Sequence, residues 1–231
     1  MHCEDYAVNL HADLTLRVVD HAQDARWLPS PNPAVQRRML DRIGGEVARA
    51  TTIVRYAPDA KFARHVHGGG EEILVLEGVF SDEDGDYPAG TYLRNPPGSA
   101  HAPFSRNGCL LLVKLWQFAA DDLVQVRIDT HAAPWRAGPV SGIEVQALHH
   151  HRGVETAMER WCANTELEPR EHVGGDEILV VSGTFSNELG RYSAGSWLRQ
   201  PSGNPHTPCV GPEGALVYVK VGHLSADFLK P

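Results

Sequence analysis

The sequence of 231 residues contains no apolar run near the roughly 18 residues that a membrane-crossing helix needs. Cysteine is scarce. Cys3, Cys109, Cys162 and Cys209 are far apart and form no CxxC pair, which excludes a zinc ribbon and argues against a disulfide framework. Positive charge is in deficit: 21 Lys+Arg against 29 Asp+Glu gives 21 − 29 = −8. That balance excludes the basic footprint of a nucleic-acid binder and speaks against an anionic membrane surface. No GxGxxG, P-loop or GxSxG motif occurs, so nucleotide-binding and serine-hydrolase readings lapse. Met1-His2-Cys3-Glu4-Asp5 lacks the basic and apolar segments of a signal peptide, so a cytoplasmic protein with reduced thiols is expected. What is abundant is histidine, with 13 residues, the commonest metal ligand. An apolar share of 42% is ample for a packed core.

The chain repeats itself. Glu71-Glu72-Ile73-Leu74-Val75-Leu76-Glu77-Gly78 matches Asp176-Glu177-Ile178-Leu179-Val180-Val181-Ser182-Gly183, and Gly90 to Pro96 matches Gly195 to Pro201, both at an offset of 105. Aligning 51–104 on 156–209 without a gap gives 23 identities in 54 positions. One extra residue in the second copy then brings Lys114 onto Lys220. Two homologous domains are expected, 1–122 and 123–231, joined near Ala119-Ala120-Asp121-Asp122.

Each copy reads as β-structure. Thr51 to Tyr56, Ile73 to Phe80 and Cys109 to Trp116 are short β-branched and apolar runs. Asp84-Gly85 and Leu189-Gly190 sit where hairpin turns belong, and Pro96-Pro97-Gly98 and Pro201-Ser202-Gly203 are further turns. The alternation from Val8 to Asp20 predicts one extra N-terminal strand. No long 3.6-residue period is present, so the expected fold class is all-β: two tandem jelly-roll barrels.

The histidines concentrate chemistry in the first copy. On a strand, residues i and i+2 share a face, so His65 and His67 face together. Gly68-Gly69-Gly70 lets the backbone bend and return Glu71 to that face, and the Pro96-Pro97-Gly98 turn delivers His101 opposite. Three neutral nitrogens and one carboxylate suit Zn²⁺, Fe²⁺, Ni²⁺ or Mn²⁺.

These stretches resemble the two cupin motifs, G(x)5HxH(x)3–4E(x)6G and G(x)5PxG(x)2H. The second fits throughout, and the first fits from His65 to Gly78. The resemblance places the family's ligands on His65, His67, Glu71 and His101. Glu72 rivals Glu71, but only Glu71 leaves six residues before Gly78. More closely, Trp27-Leu28-Pro29, Met39 to Glu46, Glu71 to Gly78, Asp86 to Gly98 and Val113-Lys114-Leu115-Trp116-Gln117 resemble the cupin domain of ChrR-type anti-sigma factors. That resemblance implies a zinc-binding domain tied to the response to singlet oxygen and related oxidants. The family's sigma-binding part is a separate helical domain with a His-x3-Cys-x2-Cys motif. No such motif occurs here, nor a helical segment before Trp27, so sigma-factor binding is not expected.

In the second copy the four positions become Arg170, His172, Asp176 and His206. Arginine has no lone pair for a metal, so Arg170 is expected to form an ion pair with Asp176 or Glu177. What remains is a degenerate site, with an anion site built on Arg170 as one outcome. His149-His150-His151 reads as a solvated loop. Arg55/Arg160 and Arg94/Arg199, kept in both copies, read as structural ion pairs sooner than as holders of an anionic substrate. Cys109, Trp116 and Trp197 read as core. Cys3 and Cys162 lack a basic neighbourhood that would activate a thiol. The eight other histidines need no role beyond the surface.

The expected cofactor is one divalent metal, zinc first and iron(II) next. Three functions compete: a regulatory protein that answers to a small molecule or oxidant, an Fe(II) dioxygenase cleaving a β-dicarbonyl or hydroxyaryl ketone, and a sugar- or acid-binding protein without redox chemistry. A homodimer is the expected assembly.

Overall fold

A computed structural model describes residues 9–45 and 47–225. Among them, strands are joined by turns, with one short 3-10 turn at Ala22–Asp24 and no α-helix. The all-β expectation therefore holds. The described residues form two compact units. One comprises Arg26–His131 with the segment ending at Ala12; the other comprises Asp13–Ala25 with the chain from Ala132 onward.

In the first unit a sheet runs in the spatial order Val126–Asp129, Thr91–Asn95, Glu71–Asp82, Cys109–Leu115, Ala48–Tyr56, Val35–Gly44, Leu28–Pro29. The second unit repeats it: Val18–Asp20, Trp197–Gln200, Asp176–Asn187, Cys209–Val221, Val154–Trp161, Ile143–His151, Arg136–Ala137. Both sheets use antiparallel pairing. The edge partner of Thr91–Asn95 is the strand that opens the second repeat, with Val126 opposite Arg94. The edge partner of Trp197–Gln200 is the strand that opens the first repeat, with Val18 opposite Arg199. Each repeat thus lends its leading strand to the sheet of the other, and the compact units do not coincide with the consecutive halves 1–122 and 123–231.

The strand expected over Val8–Asp20 is not continuous, and Val8 lies outside the described residues. Leu10 bridges Arg42 in the first unit. The Asp13 carboxylate then accepts hydrogen bonds from the Thr15 backbone N–H at 3.0 Å and its hydroxyl at 2.6 Å. That side-chain turn breaks the alternation, and pairing resumes only at Val18–Asp20, in the other unit.

Apolar runs, and not strict alternation, mark the central strands because both faces are covered. In Ile73-Leu74-Val75, Ile73 and Val75 pack with Phe80, Leu93, Leu111 and Val113. Leu74 projects to the opposite face and is equally buried. The matching core of the second unit gathers Ile178, Val180, Phe185, Leu198, Val217 and Val219. The third histidine of His149-His150-His151 closes the strand Ile143–His151, so the triplet is β-ladder and not loop. His223 is fully buried, with Nε2 2.8 Å from Glu177 Oε1, so it is a core residue and not a surface one.

Gly78 is required by its surroundings. Its φ is +73°, and a Cβ there would lie 2.3 Å from the Gly108 carbonyl oxygen, beside the Cys109 that it faces in the ladder. Gly98 has φ +86° but nothing within 4 Å of a Cβ. Chemical unfolding should therefore separate them. Gly98→Ala should cost about 1–2 kcal/mol from backbone conformation alone, and Gly78→Ala distinctly more. Equal losses would show that the close carbonyl contact is irrelevant.

Candidate metal centre

His65 closes a two-residue ladder with His101, with Ala100 opposite Val66. The turn at Pro96–Gly98 is tied to this ladder, since the Gly98 N–H donates to the His67 carbonyl at 2.9 Å. The three imidazoles stand edge to face, with centroids 5.0 Å (His65–His67), 5.1 Å (His65–His101) and 4.7 Å (His67–His101) apart. One nitrogen from each lies within 4.8 Å of the others, the arrangement a shared ion requires. Glu71 completes the group: its Oε2 is 3.6 Å from His67 Nε2 and 3.5 Å from His101 Nε2. Asn95, opposite Glu71 in the ladder, donates Nδ2 to the same oxygen at 3.4 Å.

Glu72 projects to the opposite face of its strand, where its carboxylate lies 3.9 Å from Arg94 Nε. It is Glu71 whose carboxylate faces the imidazoles.

The residues fit a divalent cation. His67 and His101 are buried, and the Nε2 atoms of both have no hydrogen-bond partner. Buried polar atoms without partners are costly, and these two point at the same carboxylate oxygen. Burial first, then His101 and His65, pushes the His67 pKa down to about 3. Burial likewise lowers that of His101. Both rings are therefore neutral at pH 7, the form that donates a lone pair. Burial pushes Glu71 up to about 7, as expected of a carboxylate facing no fixed cation.

The loop between His67 and Glu71 is held from behind. A Cβ at Gly69 would lie 2.1 Å from the Trp116 ring, and one at Gly70 would lie 2.5 Å from the Phe118 ring. Trp116 is therefore not core. It follows the strand Cys109–Leu115 with φ +57°, is 46% exposed, and covers the glycine loop. Trp197 and Cys109 are buried as expected, and burial pushes the Cys109 thiol up to about 11. Cys162 is exposed, and Cys3 lies outside the described residues. The paired arginines are structural. Arg55 lies over Trp27 at 3.9 Å and Arg160 over Trp135 at 4.2 Å. Arg94 bonds Asp122 at 2.9 Å, and Arg199 donates to the Asp13 carbonyl at 2.8 Å.

In the second barrel Arg170 does not bond Asp176 or Glu177. Its guanidinium is held by Glu159 through two bonds of 2.6 and 3.0 Å, and Trp161 Nε1 donates to Glu159 at 2.7 Å. Glu159 stands where the first copy has Val54, so the arginine arrived with its own counter-charge. Arg170 Nη2 lies 3.3 Å from His172 Nε2. His172 Nε2 is 4.0 Å from Asp176 Oδ2, and the His206 Nε2 and Asp176 Oδ1 atoms have no partner. Among the described residues, the cluster with metal-binding geometry is that of the first barrel. Sequence reasoning missed Asp82, Asn95, Glu159 and Asn187. The correlated change of His65 and Val54 to Arg170 and Glu159 is the signal that could have exposed one of them.

Two antiparallel barrels, one with a half-buried cluster of three imidazoles and a carboxylate, define a two-domain cupin. The ChrR cupin-like domain family matches the chain twice, over residues 15–119 and 124–225, and the chain belongs to that family. No curated protein sequence matches it significantly. Among solved structures it resembles a candidate dioxygenase from Nostoc punctiforme (TM-score 0.73, 13% identity, covering 90% of this chain and 82% of that one). It also resembles a mutant oxalate decarboxylase of Bacillus subtilis (TM-score 0.61, 13% identity, 88% and 76%). A third is the nickel(II) complex of a pirin from Escherichia coli (TM-score 0.63, 12% identity, 89% and 99%). At such identities the likeness is one of fold. Among the described residues no helix is long and apolar enough to cross a membrane.

The depressed histidine pKa sets an acid limit on the metal-free protein. His67 takes up its proton near 6.5 when unfolded and near 3 when folded, so stability falls with pH across that window. Glu71 acts oppositely between 4.5 and about 7, where the folded state holds the extra proton. Below about pH 4.5 Glu71 no longer offsets the histidine effect, which adds to that of the other depressed groups, His206 and Glu159 among them. Chelated protein should lose stability steeply there in urea titrations at stepped pH, and His67→Gln should flatten that limb. An unchanged slope would contradict the buried, neutral imidazole.

Proposed function

We propose that the protein is a metal-dependent regulatory bicupin, in which His65, His67, Glu71 and His101 hold one divalent ion that answers to an oxidant or small ligand. The observation that carries this reading is the pair of buried, unpartnered Nε2 atoms on His67 and His101, aimed with Glu71 at one point. Membership of the ChrR cupin-like family supports the regulatory half of the reading. Zinc is the preferred ion and iron(II) the next. Bound zinc would supply a closed-shell charge that stabilises the fold and links it to ligand or oxidant. In that scheme Asp82 and Asn95 orient His101 and Glu71, while Trp116 and Phe118 brace the loop between His67 and Glu71.

One feature favours a second reading, an Fe(II) dioxygenase acting on a β-dicarbonyl or hydroxyaryl ketone. His65 is exposed while His67 and His101 are buried, so the cluster opens to solvent on one side. A dioxygenase needs such access for both O₂ and substrate. The fold shared with the Nostoc punctiforme structure agrees with this reading.

Anaerobic purification followed by elemental analysis tests both. The chain should retain about one divalent ion, and the His65→Ala/His101→Ala double variant should retain almost none. Full metal in that variant would remove the site. Full zinc loading, with no O₂ uptake on a panel of diketones after iron reconstitution, supports the regulatory reading. Iron-dependent uptake would replace it with the enzymatic one.

A further inference from the structure

Asp82 and Asn187 occupy the same place in the two barrels, at the end of the long central strand. Asp82 Oδ1 accepts from the Asp84 N–H at 2.8 Å and the Tyr87 hydroxyl at 3.0 Å. Asn187 Oδ1 accepts from the Leu189 N–H at 2.9 Å and the Tyr192 hydroxyl at 3.0 Å. A backbone N–H can be met only by the amide oxygen, so the Asn187 amide orientation is fixed, and its nitrogen is the atom facing the barrel histidine. In the first barrel the carboxylate Oδ2 lies 3.3 Å from His101 Nδ1. In the second barrel the amide Nδ2 lies 3.3 Å from His206 Nδ1.

This one-atom difference reverses the histidines. A carboxylate only accepts, so His101 carries its proton on Nδ1 and leaves a lone pair on Nε2. An amide nitrogen only donates, so His206 Nδ1 accepts and Nε2 carries the proton. The His172 Nε2 lone pair is engaged in turn by Arg170, which can only donate. Neither imidazole of the second barrel offers a lone pair to a metal.

What the second barrel offers instead is a balanced set of unpartnered hydrogen-bonding atoms. His206 Nε2–H and Gln200 Nε2 donate, while Asp176 Oδ1 and Gln200 Oε1 accept. Gln200 and Asp176 face each other in the ladder, and all three residues are at least nine-tenths buried. The Arg170 charge is matched by Glu159, which leaves Asp176 as the acid without a bonded cation and disfavours an anionic guest. A hydroxyl donates once and accepts up to twice, so a guest carrying two or more hydroxyls matches this set of two donors and two acceptors. The His172 side chain, 4.0 Å from Asp176, is 27% exposed.

We propose that the barrels have diverged by histidine tautomer, Asp82 setting His101 to receive a metal and Asn187 turning the second barrel into a metal-free site for a small neutral hydroxylated molecule. Only the metal half rests on the function proposed above, so the tautomers are read in chelated full-length protein by nitrogen-15 NMR of labelled histidine. His101 should show a protonated Nδ1 and His206 a protonated Nε2. The same tautomer on both rings would overturn the proposal whatever metal the protein binds. Asn187→Asp should move the His206 proton to Nδ1 and leave the metal affinity of the chain unchanged. Asp82→Asn should weaken that affinity by about 10–100-fold, and an unchanged affinity would contradict its positioning role. With glycerol as probe, the His206 signal should shift saturably, and the shift should vanish in Asp176→Ala. Acetate should produce none. An equal shift with acetate, or none with glycerol, would overturn the ligand class.

Discussion

A polar atom buried in a barrel must find a partner, because leaving it alone forfeits its hydration. Both barrels of this chain carry histidine and carboxylate at corresponding positions, and each meets that demand differently. The first leaves two imidazole lone pairs and one carboxylate converging on a single point. The second sets the Arg170 guanidinium beside His172 and brings Glu159 to neutralise it. The sheets, the glycine turn and the bracing aromatics of the first barrel can all be understood as holding these few atoms in place.

Charge behind the sheet is managed by the same rule. Glu72, Arg94 and Lys114 of the first copy reappear as Glu177, Arg199 and Lys220, all buried. Lys114 donates to Thr51 at 2.8 Å, and Arg94 is sandwiched between Asp122 and the Phe118 ring. The partners of the arginines come from flanking segments, Asp122 and Phe118 after the first barrel for Arg94 and the Asp13 carbonyl for Arg199. That explains why Arg94 and Arg199 survive in both copies although only one copy keeps the histidine set.

Much of this was legible in the residues alone. The 105-residue offset exposed the duplication, and the HxH, Glu71 and His101 pattern exposed the members of the cluster, because strand periodicity fixes which side chains share a face. Tertiary partners were not legible. The ion pair joins Glu159, on the strand Val154–Trp161, to Arg170 in the segment beyond it, and no local pattern ranks Glu159 above Asp176. Trp116 ended an apolar run and read as core, but its left-handed backbone turns it over Gly68 and Gly69. The alternation from Val8 to Asp20 was real, yet the Asp13 turn cut it and sent its last residues to the other repeat's sheet.

The central claim is that one barrel holds a divalent ion and the other does not. Crystals grown with zinc or iron and measured across the metal's absorption edge test it most directly. The account predicts a single anomalous peak per chain, between His65, His67, Glu71 and His101. A peak beside Arg170 and His206, or none in the first barrel under saturating metal, would contradict it.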